Sequence, residues 1–151
     1  MTLSNLLRPD RIELLATAPD RDHVLDAAGR LLAGDDPDAG AAIAACLRQR
    51  ERLGSTAVGH GVAIPHGRCA ASDGARAAFL RLATPVDFDA GDDQPVDLVF
   101  ALIVPEHFTQ QHLQLLSELA SYFSDPARRK ALRDAPDLDA LRARLLGTAT
   151  A

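Results

Sequence analysis

The segment Pro95-Val-Asp-Leu-Val-Phe-Ala-Leu-Ile-Val-Pro105 constrains the fold of this chain more than any other. It is apolar almost without interruption, and a proline closes each end. A strand with one wet face alternates apolar and polar residues, so an unbroken run of this kind fits a strand covered on both faces. Such a strand needs other strands beside it and helices above and below, which is a layered α/β arrangement.

The remaining segments supply those layers. Val24, Leu25, Ala28, Leu31 and Leu32 follow helical spacing between Asp22 and Leu32, with Gly34 as the stop. A second helix is predicted from about Asp38 to Leu53, stopped by Gly54, and others over Thr109–Phe123, Pro126–Arg133 and Leu138–Leu146. Ile12–Leu15, Val62–Ile64 and Ala77–Ala83 read as strands, Val86–Phe88 as a shorter extended piece, and Ser4–Leu7 as a helical turn stopped by Pro9. No repeat, linker or low-complexity tract interrupts the 151 residues. The expectation is a single-domain α/β sandwich over 1–151, a mixed β-sheet flanked by helices.

Bulk properties narrow the partners. A net charge of −5 argues against nucleic acid or an anionic membrane as the main partner. The N-terminal segment is too short and polar for a signal sequence, and no apolar run suffices to cross a bilayer, so a cytoplasmic protein without membrane insertion is expected. Lys130 is the only lysine among 16 basic residues, which reads as compositional bias. Cys46 and Cys69 lack metal-type spacing, and a core of this size does not need a disulfide between them. No metal and no cofactor is expected.

The stretch Gly54-Ser-Thr-Ala-Val-Gly-His-Gly-Val-Ala-Ile-Pro-His-Gly67 carries the chemistry. The apolar Val62–Ile64 leads into Pro65-His66-Gly67. Proline fixes its own φ and glycine tolerates angles closed to other residues, so His66 reads as an imidazole presented at a strand end. Two further polar residues fall on apolar helix faces. At 100° per residue Arg50 lies within about 60° of Ile43, with Leu47 and Cys46, while Arg48 and Arg52 point away. His112 shares a stripe with Leu115, Leu116, Leu119 and Phe123, in the first turn if Thr109 is the N-cap. Each has two open readings. Arg50 is a stem that packs while its head reaches water near the helix end, or a cation aimed at a site. His112 is a satisfied core histidine, or a donor aimed with the positive helix end at a transient anion.

Taken together, one arginine and two histidines suit a phosphoryl group. An imidazole with a pKa near 6.5 is largely neutral and attacks phosphorus without a separate base. Charge on the equatorial oxygens is then met by a guanidinium and an N–H donor.

At these residues the chain resembles the fructose/mannitol-type (type-2) enzyme IIA domains of the phosphoenolpyruvate-dependent phosphotransferase system (PTS). The resemblance rests on Glu51, Val58-Gly59 and Val62-Ala-Ile-Pro-His-Gly67, and continues through Arg50–Thr56, Val86–Ala90, Gln94–Pro105 and His112–Ala120. The Asp-Phe-Asp-Ala and Gln-Pro-Val-Asp segments are most similar to the nitrogen-regulatory branch (IIA-Ntr). The resemblance implies the family's α/β sandwich, with His66 as phosphoacceptor (tele-phosphohistidine), His112 steadying the phosphoryl group and Arg50 supplying charge. The implied donor is a phosphohistidine on HPr or its nitrogen-type equivalent. The implied targets are regulatory partners, with potassium-transport or sensor-kinase proteins named by family analogy.

Accessory candidates are Ser55 and Thr56, as hydroxyl donors or turn formers, Gly67, and His60, where nitrogen-branch members often have Asn. Arg68 replaces a common Lys, and Asp87–Asp93 reads as a solvated acidic edge. Without fused membrane or IIB segments, regulation is expected over uptake. The alternative is a free-standing fructose/mannitol-class IIA that passes phosphate to a IIB domain. More distant are a metal-dependent hydrolase using His60, His66 and His112, a His66–Cys69 dyad, and a binding module without phosphotransfer.

Overall fold

The computed structural model describes residues 6–34, 36–70, 74–107 and 110–147. Strands β1 (Leu7–Leu15), β2 (Ala57–Gly59), β3 (Val62–Ala63), β4 (His66–Arg68), β5 (Arg76–Val86) and β6 (Val96–Val104) build one sheet. Helices α1 (Arg21–Ala33), α2 (Pro37–Leu53), α3 (Gln110–Phe123), α4 (Pro126–Asp134) and α5 (Leu138–Leu146) cover its two faces. The order is β1-β5-β6-β3-β2, with β4 also paired to β6. β5 and β6 are antiparallel, as are β2 and β3, while β1 runs parallel to β5, and β3 and β4 run parallel to β6. The sheet is mixed, as its sequence implies.

β6 is the expected central strand, and every residue of it except Asp97 is buried. Its alternate side chains feed two cores. Leu98, Phe100, Leu102 and Val104 meet Leu115, Leu119 and Phe123 of α3, Leu132 of α4, and Leu141 and Leu145 of α5. Val99, Ala101 and Ile103 meet Val24, Leu25 and Leu32 of α1 and Ile43 and Leu47 of α2. A continuous apolar run is the only sequence that satisfies both layers.

Three local expectations are corrected. The helical turn expected over Ser4–Leu7 ends at Leu6, which is helical, and not at Pro9: Leu7 opens β1 and Pro9 lies inside it, while Ser4 and Asn5 are outside the described residues. β1 is an edge strand whose register with β5 shifts between Leu7 and Ile12, so a missing N–H there costs no ladder bond. Ala77–Ala83 and the start of Val86–Phe88 merge into the long β5, and Phe88 is buried just beyond it.

The third correction bears on the site. The chain does not leave the sheet at His66: His66 is the first residue of β4, which continues the line of β3 along β6. One register holds from Val62↔Leu98 to Arg68↔Val104, interrupted only at Ile64-Pro65. Pro65 has no N–H to give, yet its carbonyl still accepts from Leu102 N at 2.9 Å. Gly67 has no positive φ. It lies under α2, where a Cβ would stand 3.5 Å from the carbonyl oxygen of Cys46, so its smallness serves close packing of helix on strand.

Candidate functional site

Three elements bring the central candidates together. Arg50 comes from the last turn of α2, His66 from the start of β4, and His112 from the first turn of α3. All three line one open cavity of about 760 Å³. The His66 and His112 rings stand 5.3 Å apart, centroid to centroid, tilted by 51°. A second cavity of about 330 Å³ opens on the other side of Arg50 and His66, against Thr56 and Leu116. Thr109, the expected N-cap of α3, lies outside the described residues.

The interruption at Ile64-Pro65 orients His66. The Ile64 carbonyl stands 2.7 Å from His66 Nδ1. A carbonyl only accepts, so Nδ1 carries the proton and the lone pair resides on Nε2. Burial pushes His66 below the ordinary histidine value; the Ile64 carbonyl opposes that shift, the charge of Arg50 adds to it, and Glu51 opposes it weakly. The ring is therefore neutral near pH 7, with one bare nitrogen. Tied at one nitrogen and free at the other, it is set up as a nucleophile through Nε2.

His112 is half-buried, and its Nδ1 has no protein partner. Burial first, then the His66, Arg68 and Arg50 charges, lower it to about 4. It is a neutral ring with one N–H to donate. Arg50 combines its two readings: Nη1 donates to Gly54 O at 2.9 Å, closing the C-terminal end of α2, while the guanidinium still borders both cavities.

The accessory candidates divide. Thr56 Oγ1 donates to Glu51 Oε1 at 2.6 Å and Thr56 N to Glu51 Oε2 at 2.8 Å, with both residues buried. The Ser55 hydroxyl donates to Phe88 O and accepts from Ala57 N at 3.1 Å. These hydroxyls are committed to holding the turn between α2 and β2. His60 is not beside His66. With φ of +57° it links β2 to β3, together with Gly61 at +78°, a left-handed pair that suits a two-residue hairpin. Its N–H donates to Asp92 Oδ2 at 2.9 Å and its carbonyl accepts from Arg133. It lines neither cavity that His66 lines, so the three proposed hydrolase histidines do not share one pocket.

Two contributors escaped the sequence reading. Arg68 lines the larger cavity, two residues from His66 on the same strand face; a strand period across 66–68 would have revealed it. Glu51 belongs to the motif, but its role as a buried brace depends on Thr56 folding back over it. Leu53 and Leu113 are 83% and 67% exposed and form an apolar rim to the same cavity.

Comparison with known proteins bears on what this site serves. Residues 5–147 match the family model "Phosphoenolpyruvate-dependent sugar phosphotransferase system, EIIA 2". The chain belongs to the PTS EIIA type-2 family. Among its EIIA relatives is the nitrogen regulatory protein of Pseudomonas aeruginosa, 41% identical over 140 residues, covering 92% of this chain and 91% of that protein. The crystal structure of nitrogen regulatory protein IIA-Ntr from Neisseria meningitidis superposes with a TM-score of 0.84 at 39% identity, covering 95% of this chain and 98% of that one. The PTS system fructose-specific EIIA component of Haloferax volcanii is 42% identical over 101 residues, 66% of this chain and 65% of that protein. The EIIA fold follows from these similarities, and the relatives include both nitrogen regulatory proteins and a fructose-specific EIIA component. No helix among the described residues is long and apolar enough to cross a membrane.

Proposed function

We propose that this EIIA protein accepts a phosphoryl group on Nε2 of His66 from a phosphohistidine of an HPr-type carrier, and that the phosphorylated state regulates partner proteins. One observation carries the reading: the Ile64 carbonyl holds Nδ1–H and leaves Nε2 bare in a cavity bordered by Arg50 and His112. Nε2 attacks phosphorus in line, the donor's N–P bond breaks, and its electron pair returns to the donor imidazole. Arg50 and the His112 N–H meet the charge on the equatorial oxygens. Leu53 and Leu113 supply apolar area for a protein donor around this charged centre. Phosphorylation adds about −1.5 to −2 charges at that surface, enough to change what docks there.

The nitrogen-regulatory relatives favour the regulatory branch, with HPr of the nitrogen type as donor and, by family analogy, potassium-transport or sensor-kinase proteins as targets. The similarity to a fructose-specific EIIA component supports a second reading, transfer to a IIB domain for sugar uptake. Incubation with phosphoenolpyruvate, enzyme I and a cognate carrier should add one acid-labile, alkali-stable phosphate, absent from His66→Ala. Absence of phosphate on the wild type, or undiminished phosphate on the variant, would refute the acceptor role. Transfer rates from nitrogen-type against sugar-type HPr separate the two branches.

A further inference from the structure

Outside the phosphoryl chemistry lies a second reactive pair. Cys46 in α2 and Cys69 just after β4 are both free thiols, and the Cys46 thiol donates to Cys69 Sγ at 2.9 Å. The anchors on either side are firm. Cys69 N donates to Val104 O on the central strand at 2.9 Å, and the Cys46 main chain packs directly on Gly67. Cys46 lines the His66 cavity and is reachable from solvent, whereas Cys69 is buried at 2% exposure. A disulfide requires sulfurs about 2.05 Å apart. From the observed contact that is less than an ångström of closure.

We propose that Cys46 and Cys69 form a reversible disulfide, a redox modification site that staples α2 to β4 and slows phosphoryl acceptance at His66. The bridge would span 23 positions of sequence, and Arg50, Glu51, Thr56 and His66 all lie within that loop. Arg50 follows Cys46 by one helical turn on the same face, so any shift of α2 that closes the sulfurs carries the guanidinium with it. The Cys46 carbonyl already lies against Gly67, which leaves the helix little room to approach without disturbing β4. A displacement on the ångström scale at a reacting site is enough to cost on the order of tenfold or more in rate.

The oxidant class is a small-molecule disulfide, with oxidised glutathione as the probe. Cys46, deprotonated, attacks one glutathione sulfur; the glutathione S–S bond breaks and one glutathione leaves as thiolate. Cys69 loses its proton and attacks Cys46 Sγ, the mixed S–S bond breaks, and the second glutathione leaves. The two leaving thiolates take up the two protons, so the protein dithiol is oxidised by two electrons and glutathione disulfide is reduced. Burial, and then the neighbouring thiol, push Cys46 up to about 12. It is the adjacent second thiol, rather than thiolate character, that singles out this pair.

The full chain, incubated with oxidised glutathione, should lose both titratable thiols and two mass units, with no glutathione retained. Its Tm should rise by several degrees, its rate of phosphoryl acceptance from HPr should fall about tenfold, and dithiothreitol should reverse all three. Cys69→Ser should stop at a mixed disulfide on Cys46. Two free thiols after prolonged incubation, or a wild-type protein that keeps glutathione on Cys46, would overturn the disulfide. A bridge that forms with an unchanged transfer rate would overturn its coupling to the site. That coupling rests on His66 as acceptor, whereas thiol count and mass do not. Reduced protein that accepts no phosphate yet forms the bridge would defeat the acceptor reading alone.

Discussion

An imidazole turns into a directed nucleophile when one nitrogen is tied and the other is bare, and in His66 a single main-chain carbonyl does the tying. His112 shows what the same burial does to a second ring. It is held at about 4, and His66 also lies below the ordinary value, against about 6.5 in an unfolded chain. In acid the unfolded chain therefore takes up these protons before the folded one does. Their contribution to stability is complete above pH about 6.5 and is lost as the pH falls toward about 4. Unfolding free energy from urea titration should drop across that window, and less steeply in His112→Gln. Identical slopes in variant and wild type would show that His112 is not the source.

At the scale of elements, particular aspartates and arginines close the helix ends. Asp20, Asp36, Asp125 and Asp137 accept main-chain N–H groups at the starts of α1, α2, α4 and α5. Arginines serve the opposite ends: Arg76 donates to Leu32 O, Arg50 to Gly54 O, Arg129 to Phe123 O, and Arg81 to three carbonyls around the end of α4. A guanidinium presents several donors in a fixed fork, which suits a splayed set of carbonyls better than an ammonium does. The arginine preference, read from composition as bias, thus has structural work at four helix ends. The turn after α2 depends on Glu51 and Thr56 in the same way. Removing the Thr56 hydroxyl leaves a buried carboxylate oxygen without its donor, a loss of about 1.5–3 kcal/mol for a bond to a charged group. Thr56→Val should lower the urea midpoint accordingly and slow phosphorylation, while Thr56→Ser should restore both. A Thr56→Val protein as stable as the wild type would remove the brace.

At the scale of the whole molecule, stability concentrates where the two cores share β6. Phe100 is fully buried and meets Phe123 edge-on at 5.8 Å. Phe100→Ala should cost about 3–5 kcal/mol in equilibrium unfolding, and a loss under 1 kcal/mol would mean that the face repacks around the gap. The same strand explains how much was legible beforehand. The doubly buried run at Pro95–Pro105, the apolar faces of α2 and α3, and the convergence of Arg50, His66 and His112 were all readable, because burial and helical period are written into neighbouring residues. The strand at Pro9, the continuation of β3 into β4 past Pro65, and the merger within β5 were not readable. Each depends on which ladder groups a distant strand offers or does without. The same holds for the hydroxyls of Ser55 and Thr56, spent on Phe88 and Glu51, for His60 in its hairpin, and for Cys46 against Cys69. The sequence by itself determined the layers and which polar side chains fall among apolar ones on the faces of α2 and α3, since local pattern dictates which faces are buried. Tertiary structure alone decided which polar atoms remain free, because a donor or acceptor is spent only when a partner from elsewhere in the chain arrives beside it.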